Sequence, residues 1–282
     1  MTGALWQEAL QALRRDRLAM GCAVILGILA LAALLGPSFL PHRPDEIDWA
    51  HMAEPPLATP GHWLGTDRLG RDLLVRSLHG LRVSLAIAFA ATLVALVIGV
   101  AWGAYAGFRC GRADAVMMRF VDVLYSLPQV FFVIILTVVF GRGPLAILVA
   151  IGAFGWLTMA RIVRGQALAL RERDFVEAAI VGGASTGRIV TRHIIPNLAG
   201  PVVVYATLTL PQVILVESFL SFLGLGIQEP LASLGNLIAD GAADMETAPW
   251  ILVVPAACLT LLVFCFNFLG DSLRDALDPR ER

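Results

Sequence analysis

Residue types able to do chemistry are few in this sequence, and the most conspicuous is one acid. Glu217 follows Pro211-Gln212-Val213-Ile214-Leu215-Val216 and precedes Ser218, with no other charge nearby. An acid well inside lipid costs about 2.5–3.5 kcal/mol on insertion scales. Two readings stand: Glu217 and Ser218 line a path for a polar solute, or Glu217 sits at headgroup level at little cost. His42, His51 and His62 share one segment with Asp45, Glu46, Asp48 and Glu54, residue types that bind metals. Their spacings are 9 and 11 residues, with no close pair to anchor an ion, so the sequence predicts no metal site. No nucleophile, base and acid fall into a catalytic set, and no catalysis is expected. All 21 basic residues are arginine. A phosphate-cradling loop of the G-x-x-x-x-G-K-[ST] kind needs a lysine on the β/γ-phosphates. This chain has none, so energy for uphill movement has to come from another subunit.

Six uncharged stretches hold these residues: 18–40, 83–108, 123–141, 143–160, 194–216 and 247–270. Each is about 18 residues or longer, enough for a helix to cross roughly 30 Å of hydrocarbon. Hydrophobic residues make up 58% of the chain and the mean hydropathy is +0.77. The sequence therefore predicts an all-α membrane protein with six transmembrane helices. Pro128 should kink the third, having no N–H to donate. Arginines orient the bundle. Arg14, Arg15, Arg17, Arg109, Arg112, Arg119, the six from Arg161 to Arg192, Arg274, Arg280 and Arg282 make 15 on one side. Arg43, Arg68, Arg71, Arg76, Arg82 and Arg142 make 6 on the other. The excess marks the cytoplasm and places both termini there. The first apolar run is too long for a secretory leader and lacks a small-residue cleavage site. Net charge of −1 gives no reason to expect nucleic acid.

Between the spans, residues 41–82 form an external segment, proline-rich and acidic at its front and then His62-Trp63-Leu64-Gly65-Thr66-Asp67-Arg68-Leu69-Gly70-Arg71-Asp72. Thr66 or Asp67 is the expected cap of the helix that leads into the second span. Arg68, Arg71 and Asp72 either fix this loop or grip an external protein. On the cytoplasmic side, Asp174-Phe175-Val176-Glu177 is an acidic variant of a capping box, Ala178 and Ala179 extend a helix, and Gly182-Gly183 ends it. Ser185 would cap a second short helix running to about His193, and Pro196 would open the fifth span. Such an elbow should expose few large apolar groups, its alanines and glycines permitting close approach of another protein.

Glu177-Ala178-Ala179, then Gly183 and Pro196, resemble the EAA loop of type I ABC importer permeases. The general pattern closes Ile-x-Leu-Pro; here it reads His193-Ile194-Ile195-Pro196, with His193 in place of the isoleucine. Three further stretches are similar to the C-type permeases of dipeptide, oligopeptide and nickel importers. They are Leu64-Gly65-Thr66-Asp67-Arg68-Leu69-Gly70-Arg71-Asp72, then Leu220-Ser221-Phe222-Leu223-Gly224-Leu225-Gly226 with Gln228-Glu229-Pro230, and the closing run from Phe266 through Asn267, Asp271 and Arg274 to Pro279. The resemblance covers nearly the whole chain. It implies the type I ABC importer transmembrane fold in a bacterial inner membrane. Residues 1–40 then hold the first span, 83–271 the permease core with its coupling loop at about 171–196, and 272–282 a cytoplasmic tail. It further implies a second homologous permease, two cytoplasmic ATPases using ATP and Mg, and an external solute-binding protein, with no cofactor in this chain. Asp174, Glu177, Ala178, Ala179, Gly183, Ser185 and Pro196 would couple to the ATPases, and Asp67, Arg68, Arg71 and Asp72 would meet the binding protein or their own loop. Oligopeptides or dipeptides are the expected cargo, with nickel, opines or glutathione as alternatives. A transporter driven by an ion gradient, or a scaffold that moves nothing, would need no ATPase at all.

Overall fold

In lipid every backbone N–H and C=O needs a partner within the chain, so uncharged runs become helices. The computed structural model describes residues 2–277, and among these it holds helices, loops and one isolated antiparallel bridge, Thr66 to Asp72. Asp278 and Pro279 of the closing run, with Arg280 and Arg282, lie outside the described residues. The helices are α1 (Thr2–Arg15), α2 (Arg17–Phe39), α3 (Leu73–Arg109), α4 (Gly111–Tyr125), α5 (Gln129–Phe140) and α6 (Pro144–Arg171). Then come α7 (Asp174–Val181), α8 (Thr186–Ile189), α9 (Ala199–Phe222), α10 (Leu234–Ala243) and α11 (Pro249–Leu277). A π turn over Val190–Ile194 and a 3-10 turn over Ile195–Leu198 join α8 to α9.

Five helical runs are long and apolar enough to cross a membrane: Arg17–Phe39, Leu73–Arg109, Pro144–Arg171, Thr186–Phe222 and Pro249–Leu277. The expected span at 123–141 is different. There α4 and α5 meet at 81°, so six crossings result only if the bent pair counts as one. The sequence predicts a kink at Pro128; the structure has a near-right-angled break, with α4 beginning as early as Gly111. Pro128 lacks an N–H and disfavours helical geometry at Leu127, and it stands as the extended N-cap of α5.

The closest helix pair is α3 with α6, and glycine is the reason. Gly99, Gly103 and Gly107 recur every fourth residue, a stripe that lets two backbones approach in a setting where dispersion drives association. A Cβ at Gly103 would stand 2.4 Å from the Ala160 carbonyl oxygen, and one at Gly107 2.7 Å from that of Arg164. Beside the stripe, Val100, Ala104 and Phe108 pack against Met159, Val163 and Ala167. Arg164 then holds α4 by two bonds of 2.6 Å to Asp114, while Arg161 reaches Asp122 at 2.7 Å and lies over the Tyr125 ring. On the other flank α2 buries only Ala19, Cys22 and Ala33, against α3 and α11. Asp16 caps α2 and accepts a 2.9 Å bond from the Ser272 hydroxyl of α11. The bundle thus has two distinct ends. The loop end carries residues 40–72 and α10, and the elbow end carries α7 and α8.

Candidate functional site

At the elbow end, Gly183 takes a left-handed conformation (φ +75°) that permits the sharp turn. Its N–H bonds the Ile180 carbonyl and the Ala184 N–H bonds the Ala179 carbonyl, a Schellman pair that closes α7 as the glycines predict. The start of α7 departs from expectation. Arg173 occupies the N-cap and Asp174 the first helical position, so no capping box forms with Glu177. Both acids still lie in the first turn, where they complement the helix dipole. Ser185 has the extended N-cap backbone of α8, but its hydroxyl makes no cap bond. One face of the elbow is anchored: Val176, Ile189, Ile194 and Leu198 are buried with Phe108, Val163 and Ala167. The outer face is more apolar than its alanines suggest. Val181 is 89% exposed, Ile180 46% and Phe175 42%, beside exposed Asp174, Glu177, Ala178 and Gly183. Pro196, also exposed, sits in the first turn of the 3-10 segment.

The second short helix does not stop near His193. From Thr186 to Phe222 the chain is one helical run, the π and 3-10 turns carrying α8 into α9. Midway along it, Tyr205, Thr209 and Gln212 face a cavity of about 420 Å³ shared with Tyr125, Gln129 and Thr158. Its remaining lining is mostly apolar, and it contains no carboxylate, arginine or histidine. Neutral hydrogen-bonding groups spaced along an apolar wall suit a solute carrying many amide dipoles better than a bare ion.

Glu217 follows Val216 of the cavity wall but is not itself part of the lining. It is fully buried and accepts hydrogen bonds from the Ser84 and Ser221 hydroxyls at 2.8 Å and from Ser218 at 3.4 Å. Ser84 belongs to α3 and also lies 3.5 Å from the Leu234 N–H that begins α10. The carboxylate therefore ties α9, α3 and α10 together. Gly235 permits this: a Cβ there would stand 2.3 Å from the Ser218 carbonyl oxygen.

On the loop end, Asp72 rather than Thr66 or Asp67 caps α3, accepting the Val75 N–H at 2.8 Å. Asp67 is occupied elsewhere. It accepts from Arg71 and from the buried Arg76, each at 2.7 Å, and from the backbone of Leu69 and Arg71. Arg71 continues to Glu229 at 2.8 Å, Arg68 pairs with Asp244, and Trp250 donates to the Thr66 carbonyl at 3.2 Å. Asp67, Arg71 and Asp72 thus fix their own loop, and Arg68, 57% exposed at its side chain, is the one of the four most open to another protein. Burial pushes the Asp240 carboxyl up to about 6, the charge of Glu229 adding to the effect and Arg71 opposing it. Sequence reasoning missed Arg76, Ser84, Ser221, Asp240 and Asp244. Ser84 and Glu217 stand 133 residues apart, so no local pattern announces their pairing. An arginine set among apolar positions of a helix, as Arg76 is, was the one readable signal.

The histidines also behave unlike their spacing. His42, His62 and Asp72 have donor atoms all within 4.8 Å of one another, and so do Asp48, His51 and His62. Turns between Pro41 and Gly65 fold back what the sequence keeps apart.

Comparison with known proteins agrees with this architecture. The family described as binding-protein-dependent transport system inner membrane component matches residues 99–282, and the N-terminal TM domain of oligopeptide transport permease C matches residues 4–56. The chain is 52% identical to the oligopeptide transport system permease protein OppC of Escherichia coli strain K12, over 99% of this chain and 92% of that one. It is 48% identical to OppC of Haemophilus influenzae (99% and 90%) and 44% identical to the dipeptide transport system permease protein DppC of Bacillus subtilis (98% and 86%). Among solved structures, an inward-facing conformation of the MetNI methionine ABC transporter matches with a TM-score of 0.58 at 23% identity, over 73% of this chain and 96% of that one. That last likeness is one of fold.

Proposed function

This chain belongs to the binding-protein-dependent transport inner membrane components, as a permease subunit of an ABC importer, and we propose that it forms half of a membrane path for short peptides. The relatives named as oligopeptide and dipeptide permeases support that cargo, and so does a cavity of neutral hydrogen-bonding groups. A second permease would supply the other wall, and a solute-binding protein would deliver cargo at the loop end. Both termini and the elbow would then face the cytoplasm, a placement the arginine excess supports.

The observation that carries the coupling is the unbroken run Thr186–Phe222. One end follows the elbow, the middle lines the cavity, and the far end holds Glu217. Two ATPase subunits binding ATP with Mg would grip the elbow by its exposed Phe175, Ile180 and Val181, with Glu177 and Asp174 at the rim. Because the inner face of the elbow is packed on α3 and α6, movement at its tip is carried into the bundle rather than absorbed. ATP-bound and ATP-free partners that prefer different positions of the elbow shift the path between outward and inward openings. Glu217 acts in this scheme as a positioning residue that keeps the outer end of α9 registered on α3 and α10. The test is reconstitution of the full complex with a panel of peptides, nickel, opines and glutathione. Peptides alone should stimulate ATP hydrolysis, and Val181→Asp should abolish that stimulation while the permease still folds. Stimulation by a non-peptide, or an unaffected Val181→Asp complex, would contradict the reading.

A further inference from the structure

We propose that Gln129 and Gln212 are specificity-determining residues, gripping a peptide in the cavity by its backbone amides rather than by its side chains or its ends. The inference rests on the peptide reading above and adds which part of the cargo this chain recognises. Gln129 opens α5 directly after the break at Pro128, and Gln212 lies on α9 directly after Pro211, so the two line the cavity from different helices. Both side chains are exposed, as is Thr158 of α6. Among the described residues, Thr209 is the only polar side chain of the lining with a hydrogen bond inside the chain, its hydroxyl donating to the Tyr205 carbonyl at 2.6 Å. The two glutamine amides thus keep their whole bonding capacity for a solute.

A carboxamide carries two donor hydrogens and an acceptor oxygen without net charge. A peptide unit offers one N–H and one C=O, and a carboxamide can satisfy both. A carboxylate only accepts and a guanidinium only donates, so either would satisfy half. The lining contains neither, nor a histidine, and so holds no counter-charge for an ammonium or carboxylate end. Between the polar groups the wall is Leu127, Ile151, Phe154, Met159, Val213 and Val216, apolar surface on which side chains of many shapes can lie without directional demand. Once a second permease encloses the cavity, a solute without amides would leave the glutamines unpaired. That is how a site built to hydrogen-bond one group rejects an analogue lacking it.

The experiment uses the complete complex in proteoliposomes, with its solute-binding protein saturating and already loaded. Loading of each probe is checked by titration, so the initial uptake rate reports the permease. The probes are tetra-alanine, its analogue with one internal amide replaced by an ester, its form with both ends blocked, and tetrapeptides with a central lysine or glutamate. The ester should slow parental uptake about two- to tenfold, as loss of one hydrogen bond does. Blocked ends and central charges should leave the rate unchanged. Gln129→Leu/Gln212→Leu should be slower on tetra-alanine and show no further penalty for the ester, the coupling a double-mutant cycle reads. Gln212→Glu keeps an acceptor and adds a charge, so it should import the lysine peptide faster than the glutamate one, a preference the parent lacks. This second variant tests the proposal even where the leucine variant assembles poorly. An equal ester penalty in parent and leucine variant, or no charge preference in Gln212→Glu, would overturn the proposal while peptide import stands. Uptake of nickel or opines with none of the peptides would contradict the peptide reading itself, and this proposal with it.

Discussion

Glu217 is a buried carboxylate with three hydroxyls around it and no counter-charge among its hydrogen-bond partners. An ordinary hydrogen bond contributes about 0.5–1.5 kcal/mol net, and a buried polar group left without its partner costs about 1–3 kcal/mol. Glu217→Gln keeps the shape but turns one acceptor into a donor facing hydroxyls, so thermal stability of the complex should fall. Uptake should drop to a similar extent for cationic, neutral and anionic peptides, because the residue does not line the cavity. A loss confined to charged peptides, read from uptake across the panel, would return Glu217 to the substrate path. Asp240 makes a second prediction at this scale. Its folded carboxyl is raised from 3.8 to about 6, so the protonated form is favoured by folding. The associated stability is fully present below about pH 4 and lost as pH rises through about 6. Asp240→Asn should therefore narrow the difference in melting temperature between about pH 5 and about pH 7.5, and an unchanged difference would assign the pH effect elsewhere. The sequence marks Glu217 as an oddity, an acid in an apolar run. Its partners are invisible there because they come from another helix.

At the scale of the element, the α3–α6 pair is the part most sensitive to a single atom. Gly103→Val would drive a branched side chain into backbone 2.4 Å away, and overpacking of about 1–3 kcal/mol is the least to expect. Backbone cannot step aside as a side chain can, so the folded subunit should be lost or strongly destabilised. Gly165→Ala on the same α6 is the control: nothing lies within 4 Å, and alanine is the better helix former by about 1 kcal/mol. Thermal denaturation in detergent compares the two; equal stability would mean that α3 and α6 are not packed as described. The four-residue glycine repeat was passed over at the level of sequence, and only the packing on α6 shows which face of α3 it covers. The break at Pro128 was readable only as a bend, since its size depends on Arg161 and Arg164 drawing α4 toward α6. The elbow was legible from its glycines, yet exposure of Val181 and Ile180 was not, because a short helix has two faces and tertiary packing decides which one is covered.

For the whole molecule, composition was enough to predict an all-helical membrane bundle. The cross-links at the loop end were not predictable, since Arg68 with Asp244 and Arg71 with Glu229 join residues more than a hundred positions apart. Those links and the Glu217 cluster make the loop end one connected body, while the elbow end offers a single apolar tip. A motor at the tip can move the cavity wall only if the helix between them stays stiff. That stiffness is tested by softening the π turn, replacing exposed Thr191 and Arg192 with glycine, which costs a few tenths of a kcal/mol of helix propensity at Thr191 and somewhat more, under about 1 kcal/mol, at Arg192. In proteoliposomes holding the complete complex, peptide taken up per ATP hydrolysed is the quantity to measure. It should fall at least tenfold while the ATPases remain bound and active. Parental uptake per ATP in the softened variant would contradict transmission through this helix.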